Sequence, residues 1–156
     1  MPLVIDEAQA GAQSRMTAIR MTLLTLRCME NWKLGVDDYD SAMILVAVVA
    51  ITAERLTRAD LELELRDLGQ PIPPERLARC NVSSIAAATG LNRETARRKV
   101  GELVSKGLLV RSPRGAISFP PGLLQQESTR DLVRRQLDGV VRFANELLRD
   151  GVLIHS

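Results

Sequence analysis

Residues 83–119 read SSIAAATGLNRETARRKVGELVSKGLLVRSPRGAISF, and this stretch decides the fold. Ser83 and Ser84 offer hydroxyl caps to a short helix through Ile85, Ala86, Ala87, Ala88 and Thr89, which Gly90 can stop because it tolerates positive φ. Leu91 follows, and Asn92 can cap a second helix running from Arg93 to Lys106, closed by Gly107. Within it Ala96, Val100 and Leu103 fall at i, i+4 and i+7, a spacing that turns them to one side and leaves Arg93, Glu94, Arg97 and Arg98 on the other. Two helices joined by a tight glycine turn, the second carrying basic side chains, describe a helix-turn-helix. Leu108 to Arg111 then reads as a strand, Ser112-Pro113-Arg114-Gly115 as a turn and Ala116 to Phe119 as the return strand, with Arg114 at the hairpin tip.

Charge is concentrated in the same place. The whole chain of 156 residues carries only +2, so net charge alone announces no polyanionic partner. Residues 92–114, however, hold Arg93, Arg97, Arg98, Lys99, Lys106, Arg111 and Arg114 against Glu94 and Glu102, a local +5 that leaves −3 for the remainder. A phosphate-binding face has this character, because its cations displace the counterions condensed on DNA.

This stretch resembles the winged helix-turn-helix transcription regulators of the broad MarR, GntR and IclR kind. Ile85-Ala86 corresponds to the pair that opens the first motif helix, Gly90 to the turn, and Thr95-Ala96-Arg97 to the Thr-x-Arg early in the recognition helix. The resemblance implies that the hairpin at 108–119 is the wing and that Val82 or a neighbour forms a short strand beside it. It also implies a mainly α fold with a small β-wing. DNA contacts are then expected from Asn92, Arg93, Thr95, Arg97, Arg98, Lys99, Arg111 and Arg114, with Arg97 reading a guanine and the other cations gripping phosphates.

Long helices are expected on both sides of this module. Ile5, Ala8, Ala12, Met16, Ile19, Leu23 and Leu26 recur at helical steps and predict an amphipathic helix from about 5 to 32. Asp37, Asp38, Asp40 and Ser41 supply capping oxygens to a helix from about 41 to 57, whose apolar run at 43–51 is about half the ~18 residues of a membrane span and implies an enclosed helix. The three aspartates lack a Gly-centred loop and a closing Glu, so they read as a cap and not as a cation site. Residues 59–68 fit either period, and Gly69-Gln70-Pro71-Ile72-Pro73-Pro74 reads as a connector. A last helix from about 124 to 150, opened by Ser128 and Asp131, carries Leu132, Val133, Leu137, Val140, Val141, Ala144 and Leu148 on one face. The organisation expected is one domain: a dimerisation helix in 1–35, the DNA-binding core in 36–122 and a second dimerisation helix in 123–156.

The remaining features exclude more than they suggest. Cys28 and Cys80 lie far apart without a metal-ligand spacing, His155 is the only histidine, and no phosphate loop or nucleophile–base couple is present, so neither an enzyme nor a cofactor is expected. The first ten residues lack the basic flank and apolar run of a secretory signal, which points to the cytoplasm. The function expected is a homodimeric, sequence-specific transcription regulator on double-stranded DNA, with the two recognition helices about 34–36 Å apart. The apolar side chains of the helices at about 5–32 and 41–57 fit either a pocket for a small-molecule effector or a plain core or dimer interface. The alternative is a winged-helix adaptor that docks a protein partner and binds no DNA.

Overall fold

The computed structural model describes residues 1–33, 35–58 and 60–156; Leu34 and Ala59 lie outside the described residues. The fold is mainly helical with small antiparallel sheets. Its order is β1 (Leu3–Ile5), α1 (Glu7–Ala12), α2 (Ser14–Trp32), α3 (Tyr39–Ala53), α4 (Val82–Thr89), α5 (Arg93–Ser105), β2 (Val110–Arg111), β3 (Ile117–Ser118), α6 (Glu127–Arg149) and β4 (Leu153–His155). None of the described helices is long and apolar enough to cross a membrane. The chain gathers into two compact units, Met1–Asn31 with Asp131–Ser156, and Trp32–Arg130.

In the second unit α3 begins where Asp38 accepts a hydrogen bond from the Ser41 amide at 2.9 Å. It ends at Ala53 and not near 57, because the backbone tightens into a 3-10 turn over Glu54–Thr57. One side of α3 is sealed, through Ala42, Ile44, Ala47, Val48 and Thr52, whereas Met43 stays 43% exposed, so the helix is enclosed on one face only. Among its described residues the connector to α4 has no α-helix or strand. It carries 3-10 turns at Leu63–Arg66 and Pro74–Arg76 and returns to α3 where the Ala78 amide donates to the Thr52 carbonyl at 2.8 Å.

The α4 cap is Asn81, and the serines play another part. Ser84 sits at the third helical position and its hydroxyl accepts from the Asn81 amide while Asn81 Oδ1 accepts from the Ser84 amide, a reciprocal capping box. Gly90 ends α4 at φ 72°, in the left-handed region where a β-carbon is penalised. Asn92 opens α5 by accepting from the Glu94 amide at 2.8 Å. Ala96, Val100 and Leu103 are buried, and the last two join Val36, Ile44, Val48, Cys80, Ile85, Leu109 and Ile117 in a closed core. The β2–β3 hairpin pairs Val110 with Ser118 and Arg111 with Ile117. The segment beside it is Cys80, whose carbonyl accepts from the Ile117 amide at 2.8 Å, while Val82 already belongs to α4.

The first unit departs further from expectation. The N-terminal helix does not begin near 5: Ile5 lies in β1, opposite Leu153 of β4, and Asp6 caps a separate helix α1 by accepting from the Gln9 amide. A break at Gln13 separates α1 from α2. Likewise α6 starts at Glu127 after a 3-10 turn over Leu123–Gln125, so Ser128 and Asp131 lie inside the helix and do not open it.

Polar contacts tie α2 to α6. Arg20 bridges Glu146 at 2.9 Å and Asp150 at 2.8 Å, and Gln136 donates to the Cys28 carbonyl and accepts from the Asn31 side chain. Leu24 is seated against Gly139, where a β-carbon would stand 3.7 Å from its Cδ1. Met16, Ile19, Leu23 and Leu26 on α2, and Val133, Leu137, Val140 and Val141 on α6, are 43–53% exposed. Not one residue of α2 is buried.

Candidate nucleic-acid interface

The expected contact residues fall on the outer N-terminal half of α5 and on the hairpin that follows. Their placement follows from the inner face: once Ala96, Val100 and Leu103 enter the core, the 100° step per residue leaves Glu94, Arg97 and Arg98 outside. Arg93, Arg97 and Arg98 are exposed, as are Arg111 on β2 and Arg114 in the turn, while Thr95 is half-buried beside them. Asn92 is exposed, and its side-chain carbonyl is engaged in capping.

Lys99 is set apart from the other cations. Its ammonium donates to Asp38 Oδ1 at 2.7 Å, and only 13% of the side chain is exposed. The same Asp38 oxygen accepts from the Ser41 amide, and Oδ2 accepts from the Ser41 hydroxyl at 2.8 Å. Asp38 therefore starts α3 and also holds α5 through Lys99. The Lys99 ammonium is the main reason the Asp38 carboxyl lies well below the usual carboxylate range; the Ser41 bonds lower it further, and burial opposes them.

The other cations are loosely held. Arg98 meets Glu102 one turn on at 2.7 Å and Arg97 meets Glu94 at 3.5 Å, both pairs in water, where such bridges contribute at most about 1 kcal/mol and open easily to a stronger anion. Arg93, Lys106, Arg111 and Arg114 have no carboxylate partner among the described residues.

One cation of this surface escaped the sequence reading. Arg79 stands before the α4 cap, outside the 92–114 window, and its Nη2 donates to the Arg114 carbonyl at 2.7 Å. A basic residue two positions ahead of the helix cap was the available signal, but nothing local ties it to a turn 35 residues later.

Elsewhere, the cleft between α2 and α6, lined by Leu23, Leu24, Arg27, Gly139, Arg142 and Phe143 among others, measures about 40 Å³. Small-molecule pockets run to roughly 300–1,000 Å³. Among the described residues, no cluster of three or more His, Cys, Asp or Glu could hold a metal ion. None of the protein-family models, characterised proteins or solved structures compared with the chain matches it.

Proposed function

We propose that this chain is a sequence-specific, DNA-binding transcription regulator of the winged helix-turn-helix type, working in the cytoplasm as a homodimer. In this reading α5 is the recognition helix and the β2–β3 hairpin is the wing. The observation that carries it is the separation of faces in Trp32–Arg130: α5 buries its apolar side completely, while Arg93, Arg97, Arg98, Arg111 and Arg114 stay in water on α5 and the adjoining hairpin. Phosphates position such a module and the Arg97 fork reads a base edge. Lys99 serves as a brace for α5.

The dimer rests on a second observation, that the apolar stripes of α2 and α6 stay about half exposed. Covering the eight stripe residues in two copies removes on the order of 1,200 Å², the lower bound of stable interfaces. A second copy also supplies the second recognition helix that a palindromic site needs.

Selection of bound duplexes from a random pool, followed by a salt titration, tests the DNA reading. Binding should fall steeply with salt, and Arg97→Ala should cost about 1–3 kcal/mol and relax one base position. Salt-independent or absent retention on duplex DNA would overturn it in favour of the protein-docking adaptor.

A further inference from the structure

We infer that Arg79 is a second anchor of the DNA interface, a residue that positions the wing tip and presents its own charge to the phosphate beside it; this inference rests on the DNA-binding reading above. The wing is short. Each of its strands has two residues, and one further backbone bond, from the Ser112 amide to the Ala116 carbonyl at 2.8 Å, leads into the turn. The turn is closed internally by the Gly115 amide on the Ser112 carbonyl at 2.9 Å and by the Ala116 amide on Ser112 Oγ at 3.0 Å. Among the described residues, the hydrogen bond that reaches the turn from outside the hairpin is the one from Arg79 to the Arg114 carbonyl. Arg79 is itself fixed against the hairpin, since its neighbour Cys80 accepts from the Ile117 amide. The guanidinium thus ties the backbone of residue 114, and hence the origin of the Arg114 side chain, to the closed core.

The tie leaves most of the guanidinium unused. Arginine has five N–H donors in a rigid fork, and the carbonyl takes one. Arg79 is exposed and meets no carboxylate among the described residues, and the same is true of Arg111 and Arg114 on the hairpin. Three arginines at one small hairpin repel one another in the free protein, and a polyanion backbone is the partner that reverses the sign.

The test uses the full chain and the duplex selected by the wild type. Arg79→Ala should weaken binding about tenfold, reduce the salt slope by about 1 and leave thermal stability nearly unchanged. Arg79→Lys should restore the slope, because the charge returns, but only part of the affinity, because the fork does not. In a double-mutant cycle Arg79→Ala should lose much of its effect once Arg114 is already alanine, since part of that effect runs through placing Arg114. Binding of Arg79→Ala within twofold of wild type at an unchanged salt slope overturns the phosphate role, and full additivity with Arg114→Ala overturns the positioning role. Failure of the wild type to bind any duplex defeats the DNA reading itself, an outcome distinct from both.

Discussion

In Trp32–Arg130 the apolar residues Ile44, Val48, Ile85, Val100, Leu103, Leu109 and Ile117 are all sealed from water, whereas in the unit formed by Met1–Asn31 and Asp131–Ser156 only Leu132, Leu147 and Val152 are. Both units place apolar residues at helical spacing. They differ in what the spacing is packed against: α5 turns its stripe onto α3 and α4, while α2 is tied to α6 through Arg20, Leu24, Cys28 and Asn31 and keeps its own stripe about half exposed. On α2, Thr17 Oγ1 and Arg20 Nε are buried with no hydrogen-bond partner among the described residues. Periodicity reveals which residues share a face and says nothing of whether the covering surface belongs to the same chain.

Truncating one side chain in each unit separates the two most strongly. Ile85→Ala should destabilise the chain by about 2–5 kcal/mol in urea at any protein concentration, since a fully buried side chain leaves both lost transfer energy and a cavity. Leu137→Ala removes a side chain that is 50% exposed and should cost well under that in dilute solution, with the deficit growing as protein concentration rises. A mass by light scattering that stays at 17.2 kDa at micromolar concentration and upward removes the dimer and with it the contrast.

The α5 boundaries were legible because their causes are local: Asn92 caps two residues ahead, Gly107 takes a positive φ, and the three buried residues repeat within two turns. The α4 cap is Asn81 and not the expected Ser83 or Ser84, because the reciprocal bonds that select Asn81 form only once the chain has turned into the helix. Non-local pairings left no trace in the sequence. Ile5 opposite Leu153, Lys99 on Asp38 and Arg79 on Arg114 each join residues whose spacing carries no period. Of the site, the cations on α5 and the hairpin were readable from charge density. The withdrawal of Lys99 and the addition of Arg79 were not.

Asp38 probes the closed unit from its edge. A carboxyl whose folded value lies below its unfolded one contributes stability above roughly pH 4, and that stability disappears as pH falls through the folded value. Asp38→Asn keeps an oxygen for the Ser41 amide and loses the ionic bond to Lys99, so the variant should be less stable than wild type near neutral pH by up to about 1 kcal/mol, a figure limited by the 44% exposure of the side chain. The two proteins should draw together as pH falls below roughly 4 and meet only once it has passed the folded value of Asp38. Parallel stability curves from pH 7 to pH 2 would show that Lys99 does not depend on this carboxylate, and would return Lys99 to the set of free cations.

Two helix-interior glycines give the smallest effect and the cleanest control. Gly101 lies in α5, where an added β-carbon would meet nothing within 4 Å, and Gly139 lies in α6, where it would make an ordinary contact with Leu24. Alanine is the better helix former by about 0.5–1 kcal/mol, so each substitution should stabilise the free chain by about that amount. The two should separate on DNA. If the outer face of α5 enters a groove, the space around Gly101 is filled by the duplex, and Gly101→Ala should weaken binding even as it raises the melting temperature, while Gly139→Ala leaves affinity unchanged. Equal affinity for both variants would mean that DNA, if bound, does not approach the Gly101 backbone, and the contact face would shrink to the first turns of α5 and the wing.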